Sequence, residues 1–294
     1  MPLAMPMIDG KKIAAELLGR LKEKPKPKKF FAGVLIGDDP ASESFQKLKQ
    51  DTAKGLGIDY RIYKLAPALG NDALREKVGK LAAGKTCGGV IVQLPLPEPL
   101  NATYIVNAIP PEKDPDCLSE RTLGAHYNNR AKVLHPAVAT VEEVLRRAKV
   151  DLKGKRVAVI GAGMLIGKPI AVWLMRKVSE LYVLGRGADF AILKNCDVVI
   201  SGAGKAGLFN AETLKEGALV VDFGYDSVGG KLLGDFDSSS LATRHSSLAT
   251  ISYTPTPGGT GPILVAKLFE NFYKLNEKSL VNNTPQLSLS GLTR

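Results

Sequence analysis

The sequence predicts an α/β fold of two domains, each with a mainly parallel sheet covered by helices. Three observations carry this reading. Short apolar, β-branched runs alternate with stretches of helical period, first over residues 30–94 and again over residues 157–275. Between the two series lies a polar interval, Asp114 to Pro136, rich in Pro, Asn, Gly and charge. The length of 294 residues suits about two domains, each large enough to bury its own core.

Taken in order, a helix runs into the Pro-broken charged stretch Arg20–Lys29, which reads as a solvated connector. Phe30–Ile36 is apolar throughout and reads as a buried strand. A helix follows over Ser42–Leu56, with Ser42 as a plausible N-cap and Gly57 as its stop. Tyr60–Leu65 is a second strand, Asp72–Ala83 a second helix, and Gly89–Leu94 a third strand running into Pro95-Leu-Pro97. From Asp114 to Pro136 the periodicity lapses, as in a segment crossing between domains. The second series has strands at Val157–Ile160, Leu181–Leu184, Asp197–Ser201 and Ala218–Phe223, the third of which could serve as a sheet edge. An amphipathic helix, Ile263–Leu275, closes the ordered chain. The expected limits are residues 1–139, completed by a helix over 263–276, then 140–262, and a flexible polar tail over 277–294.

Composition narrows the function classes. Apolar residues make up 45% and charged residues 23%, which describes an ordinary globular protein. No run of about eighteen apolar residues exists to cross a membrane, and Met-Pro-Leu-Ala-Met-Pro-Met lacks the pattern of a secretion signal, so a cytoplasmic protein is expected. Cys87, Cys117 and Cys196 are odd in number and widely spaced, which argues for a reducing compartment and for thiols acting as core fillers. With only His126, His135 and His245 besides, no zinc-ligand spacing occurs and no metal is expected; a structural role is the simpler one for His135. The net charge of +11 would attract nucleic acid, but no nucleic-acid-binding motif accompanies it. An anionic substrate and a phosphorylated cofactor also account for a positive field.

Val157-Ala-Val-Ile-Gly-Ala-Gly-Met-Leu-Ile-Gly-Lys-Pro169 is the most specific local signal of the second series. An apolar strand meets a turn with Gly161, Gly163 and Gly167, then a helix starts, which is how backbone approaches a phosphate at a helix N-terminus. The spacing, G-x-G-x-x-x-G, is one residue longer than the common fingerprint. Together with the repeated β/α alternation it predicts a Rossmann-like, NAD(P)-binding second domain. Arg186, just past the strand ending at Leu184, suits the 2′-phosphate of NADP, while the nearby Asp189 leaves NAD open. Ala162 in the turn and Tyr225 beyond the fourth strand are assigned to the cofactor as well.

Four further segments offer chemistry. Phe45 and Lys49 stand four apart and share a helix face. Gln93 is a polar residue ending an apolar strand, where a buried amide is costly without a partner. Pro111–Asp116 places carboxylates on a loop, and Tyr253–Pro262 forms a stiff Gly/Pro turn containing Pro257, Gly258 and Gly259. Taken singly, Lys49 reads as a solvated helix lysine and Asp116 as a turn residue.

In order and spacing, these segments resemble the bifunctional methylenetetrahydrofolate dehydrogenase/cyclohydrolase family over roughly residues 7–275. The resemblance runs through Ile8-Asp9-Gly10-Lys11, Gln93-Leu-Pro-Leu-Pro97, the glycine turn, Gly234-Asp235 and Pro257-Gly-Gly-Thr-Gly-Pro262. It implies oxidation of 5,10-methylenetetrahydrofolate with NADP and hydrolysis of the methenyl product to 10-formyltetrahydrofolate, in one-carbon metabolism, by a homodimer. It implies Lys49 as the catalytic lysine, Gln93 as the amide that orients it, and Asp116 as the carboxylate that takes the folate's aminopyrimidine edge. Phe45, Pro257, Gly258 and Gly259 would contact substrate.

The chain departs from the family's pattern in several places. Phe45 replaces a usual tyrosine, Cys117 a usual glycine, Pro136-Ala-Val138 a usual Cys-Thr-Pro, and Ala162-Gly163 a common Arg-Ser. The backbone around Asp116 is therefore expected to differ. Two other readings stand beside the resemblance: a different two-domain NADP oxidoreductase, or a catalytically impaired folate- or nucleotide-binding homologue.

Overall fold

The computed structural model describes residues 7–242 and 251–277, so His245 and all but the first residue of the expected tail lie outside the described residues. Asp9 starts α1 (Gly10–Lys22) by accepting the Lys12 N–H at 3.0 Å. β1 (Phe30–Ile36) is buried along its whole length, as its unbroken apolar run requires. α2 (Pro40–Leu56) is capped by Asp39 and not, as expected, by Ser42. The Asp39 carboxylate accepts the Ser42 N–H at 2.8 Å, and Pro40 fits the first turn, where no N–H is needed. Gly57 ends the helix at φ 67°. Then come β2 (Tyr60–Leu65), α3 (Gly70–Ala83) and β3 (Cys87–Val92).

α4 (Ala102–Val106) comes just before the segment expected to be irregular, and α5 (Glu120–Tyr127) lies within it. α5 has too few apolar residues to show a period; it is held by the Ser119 cap and by His126, whose Nε2 lies 3.0 Å from the Pro169 carbonyl. α6 (Pro136–Arg147) spans the position expected to divide the domains. It is followed by β4 (Arg156–Ile160), α7 (Gly167–Leu174), β5 (Glu180–Leu184), β6 (Val198–Ser201), β7 (Phe209–Asn210) and β8 (Leu219–Asp222). β9 (Asp226–Val228) and β10 (Lys231–Leu233) form a small antiparallel hairpin, and β11 (Phe236–Asp237) pairs with β7. β12 (Ser252–Tyr253) and α8 (Thr260–Asn276) complete the described chain.

Two parallel sheets result, ordered β2-β1-β3 and β12-β8-β6-β4-β5. The strand considered as an edge, β6, lies instead at the centre of the second sheet. Its four residues are all buried, which is what an apolar run between two neighbours should be. Ile13 and Leu17 of α1, Val138 and Val141 of α6, and Ile263 and Ala266 of α8 pack on Val157, Val159, Ile200 and Val221 of that sheet.

α8 also serves the first sheet. Phe272 stacks on Phe31 of β1 at 4.3 Å between ring centres, with Phe269 edge-on at 5.5 Å. Burying each such ring contributes about 1.5–3 kcal/mol. One helix therefore belongs to both cores. Glu143 of α6 reinforces the join: its carboxylate lies 3.3 Å from Lys267 of α8 and 2.9 Å from Arg147. All three cysteines are free and buried.

Candidate active site

α2 turns one face toward the first sheet, burying Ser42, Gln46, Lys49, Ala53 and Leu56. That spacing drives Lys49 inward, and only 7% of it remains exposed. Its ammonium donates to Gln93 Oε1 at 2.8 Å. Gln93 follows the end of β3, and its N–H still bonds the Val34 carbonyl of β1 at 2.9 Å. Its Nε2 donates to the Leu94 carbonyl at 2.8 Å, so the amide oxygen is the end turned to Lys49.

Asp116 completes the group. Its carboxylate accepts no hydrogen bond from the described residues, which leaves both oxygens available to a ligand. Burial pulls the Lys49 pKa below its ordinary value, with the charge of Asp116 opposing. Burial likewise pushes Asp116 up to about 6; the charge of Lys49 opposes this and that of Asp114 adds to it. An amine whose charged form is disfavoured by burial, set beside an open carboxylate, is suited to proton transfer. The structure thus brings Lys49, Gln93 and Asp116 together from three separated segments.

Cys117 lies at φ 58°, the left-handed region that glycine adopts freely. The backbone beside Asp116 therefore keeps a glycine-type turn, where a change was expected. A non-glycine residue there costs roughly 1–2 kcal/mol. His135 takes a structural role: its Nδ1 accepts the Ala137 N–H at 3.2 Å, capping α6, and burial depresses its pKa to about 3.

A cavity of about 310 Å³ opens along the same helix, α2, where Ser44, Phe45 and Leu48 line it. Phe45, one turn before Lys49, lines it together with Leu48, Tyr225 and the turn Pro257–Gly259. Gly258 sits at φ 97°, and a Cβ on Gly259 would stand 2.4 Å from the Pro255 carbonyl oxygen. These two glycines are thus dictated by the turn itself. Lys11, Leu48 and Leu232 line the cavity without having been singled out in the sequence. For Lys11 the signal was present in the Ile8-Asp-Gly-Lys11 motif; for the two leucines there was none. Tyr225, expected at the cofactor, is placed against Phe45, with ring centres 5.3 Å apart.

At the glycine turn, Gly161 has φ 85°, and a Cβ on Gly167 would meet the Gly161 carbonyl oxygen at 1.7 Å. Both are needed to close the turn. A Cβ on Gly163 would meet nothing within 4 Å, and Ala162 is exposed beside it. No side chain caps α7; within its first turn the Lys168 N–H donates to the Gly163 carbonyl at 3.0 Å and Pro169 has no N–H. An uncapped helix end under a glycine turn fits a pyrophosphate. Arg186 is exposed just beyond β5, while Asp189 is committed to capping the following turn, where it accepts the Ala191 N–H at 2.9 Å. Among the described residues, no group of three or more His, Cys, Asp or Glu is placed to hold a metal, and no helix is long and apolar enough to cross a membrane.

Known proteins resemble this chain along most of its length. Residues 8–116 match the family model for the tetrahydrofolate dehydrogenase/cyclohydrolase catalytic domain, and residues 136–280 the model for that family's NAD(P)-binding domain. A bifunctional protein FolD of Lactobacillus delbrueckii subsp. bulgaricus is 32% identical over 281 residues, covering 92% of this chain and 97% of its own. The crystal structure of the bifunctional methylenetetrahydrofolate dehydrogenase/cyclohydrolase of Campylobacter jejuni superposes with a TM-score of 0.85 at 30% identity, over 93% of this chain and 99% of that one. The Trypanosoma brucei enzyme, solved with NADP and an inhibitor, also gives 0.85, at 28% identity over 96% and 100% of the two chains.

Proposed function

The chain belongs to the tetrahydrofolate dehydrogenase/cyclohydrolase family, and we propose that Lys49, Gln93 and Asp116 carry its two reactions in the cleft between the sheets. The substrates are 5,10-methylenetetrahydrofolate, oxidised with NADP, and the methenyl product, hydrolysed to 10-formyltetrahydrofolate. The observation that carries the residue assignment is the buried Lys49 ammonium held at 2.8 Å by Gln93 beside an unengaged Asp116.

Each side chain has a distinct task. Asp116, ionised above about pH 6, accepts the paired N–H donors of the aminopyrimidine ring and fixes the folate head. NADP, when bound, supplies the hydride acceptor. Gly161, Ala162, Gly163 and Gly167 would hold its pyrophosphate and Arg186 its 2′-phosphate. In the hydrolysis, water adds to the methenyl carbon and Lys49, acting from its neutral amine form, takes one proton. The C–N bond then breaks as the adduct's hydroxyl loses its proton to form the formyl C=O, and Lys49 returns its proton to the departing ring nitrogen, so one proton is released overall. Gln93 keeps the amine aimed during both transfers. Phe45 and the Pro257–Gly259 turn wall the benzoyl portion of the substrate.

The reducing setting implied by three buried free thiols supports a cytoplasmic location, and a homodimer is the assembly we infer from the family resemblance. The assay is direct: purified protein with methylenetetrahydrofolate and NADP should generate methenyl absorbance, and added methenyltetrahydrofolate should lose it. Lys49→Met should lower the hydrolysis about 10²–10⁴-fold while NADP still binds. Full hydrolysis by that variant would remove Lys49 from the mechanism.

A further inference from the structure

We propose that Tyr225 is a substrate-binding residue that closes with Phe45 on the folate, forming one jaw of an aromatic clamp. The proposal rests on the folate reading of the site. Tyr225 comes from the second sheet's side of the cleft, just after β8, and Phe45 from α2 on the other side. Their rings meet at a tilt, with centres 5.3 Å apart and 59° between planes, and both line the 310 Å³ cavity with Pro257, Gly258 and Gly259. Two rings at this angle form an aromatic notch, in which a flat aromatic amide of the kind that links the pterin to the glutamate of a folate packs face-on to one ring and edge-on to the other.

The backbone around Tyr225 is fixed from both flanks. Asp222 accepts the Gly224 N–H at 2.6 Å, the Gly224 carbonyl accepts from Thr256 Oγ1 at 3.2 Å, and the Asp226 carboxylate accepts the Ala206 N–H at 3.2 Å. The side chain itself is left 41% exposed, and its hydroxyl makes no hydrogen bond with the described residues. A rigid base carrying a free phenol at a cavity wall is preorganised to bind. Phe45 brings no donor to its wall, so the Tyr225 hydroxyl is the phenolic group that this pair of rings offers to a substrate carbonyl. The glycine turn Gly161–Gly167 does not contribute to this cavity, which separates Tyr225 from the cofactor's phosphate cradle.

The test measures dissociation constants for tetrahydrofolate and for NADP by calorimetry, with steady-state KM values, in the wild type, Tyr225→Phe and Tyr225→Ala. Tyr225→Ala should weaken tetrahydrofolate binding about tenfold and raise the folate KM alike, leaving NADP affinity within about twofold. Tyr225→Phe should keep the ring's share and lose the hydroxyl's, falling between the two. Unchanged folate affinity in Tyr225→Ala, or a loss confined to NADP, overturns the clamp while leaving the folate reading intact. A wild-type protein that binds no tetrahydrofolate overturns that reading and the clamp with it. Unfolding midpoints of the variants should match the wild type because the side chain is half exposed.

Discussion

Asn271 of α8 donates to the Pro115 carbonyl at 2.9 Å, so the last helix holds the loop that carries Asp116. The same Nδ2 donates to the Leu134 carbonyl at 2.7 Å, just before α6. A single amide, 2% exposed, thereby sets the position of the carboxylate relative to both cores.

Asn271→Ala should leave these two carbonyls unpaired in a dry setting, at about 1–3 kcal/mol each. Freeing the loop should also raise the folate KM several-fold more than the NADP KM. Denaturant unfolding together with steady-state kinetics on the variant checks both. An equal rise in the two KM values would show that the loop is held by other contacts.

The raised pKa of Asp116 gives a pH profile with a known sign. Below about 6 the carboxyl is protonated and presents a weaker acceptor to the aminopyrimidine, so kcat/KM for the folate should climb as pH rises through about 6. Asp116→Asn should lower kcat/KM and abolish that limb. Rates measured from pH 5 to 8 decide it, and an unchanged limb in the variant would assign it to another group.

Two glycines of the phosphate turn should respond differently to the same substitution. Gly167→Ala forces a Cβ to within 1.7 Å of the Gly161 carbonyl oxygen, so the turn must open. A cost of about 3 kcal/mol would lower Tm on the order of 6–12 °C. Gly163→Ala meets nothing within 4 Å, so Tm should hold while NADP affinity falls. Thermal scans with and without NADP distinguish the two.

Glu143 binds α6 to α8 electrostatically, and its contribution depends on pH. Burial alone would raise its pKa, but hydrogen bonds from Arg146 and Arg147 and the charge of Lys267 hold it down to about 2, against an ordinary 4.5. A depressed carboxyl stabilises the fold fully above 4.5 and loses that contribution as pH falls through about 2. Glu143→Gln should therefore cost about 3–5 kcal/mol at neutral pH, and the gap from wild type should narrow toward pH 2. Denaturation curves across that range measure it.

Local pattern carried much of the fold, and the reasons for success and failure are visible in single elements. β1 occupies the residues its apolar run indicates, because a strand buried in a parallel sheet needs no tertiary information to be seen, and β2, a half-exposed edge strand, follows its mixed polar and apolar run. α5 was hidden because its stability comes from the Ser119 cap and the His126–Pro169 contact, not from an apolar stripe. At the start of α2, Asp39 and Ser42 are both good caps, and Pro40 decides for the first. Lys49, Gln93 and Asp116 could be named through their motifs, yet the hydrogen bond between the first two joins residues 44 apart. The Phe45–Tyr225 pair spans a greater sequence distance still, and no local rule shows that these two rings meet.

Phe31 sits on an early strand but is covered by Phe269 and Phe272, near the end of the described chain. During synthesis the first sheet must therefore leave the ribosome with part of its aromatic surface uncovered, since Leu21, Leu56 and Tyr60 supply only a share of the packing and the rest arrives after some 240 further residues have been translated. Nascent chains arrested before α8 should accordingly be protease-sensitive throughout and hold to trigger-type chaperones, and release of the final helix should make both halves resistant in one cooperative step.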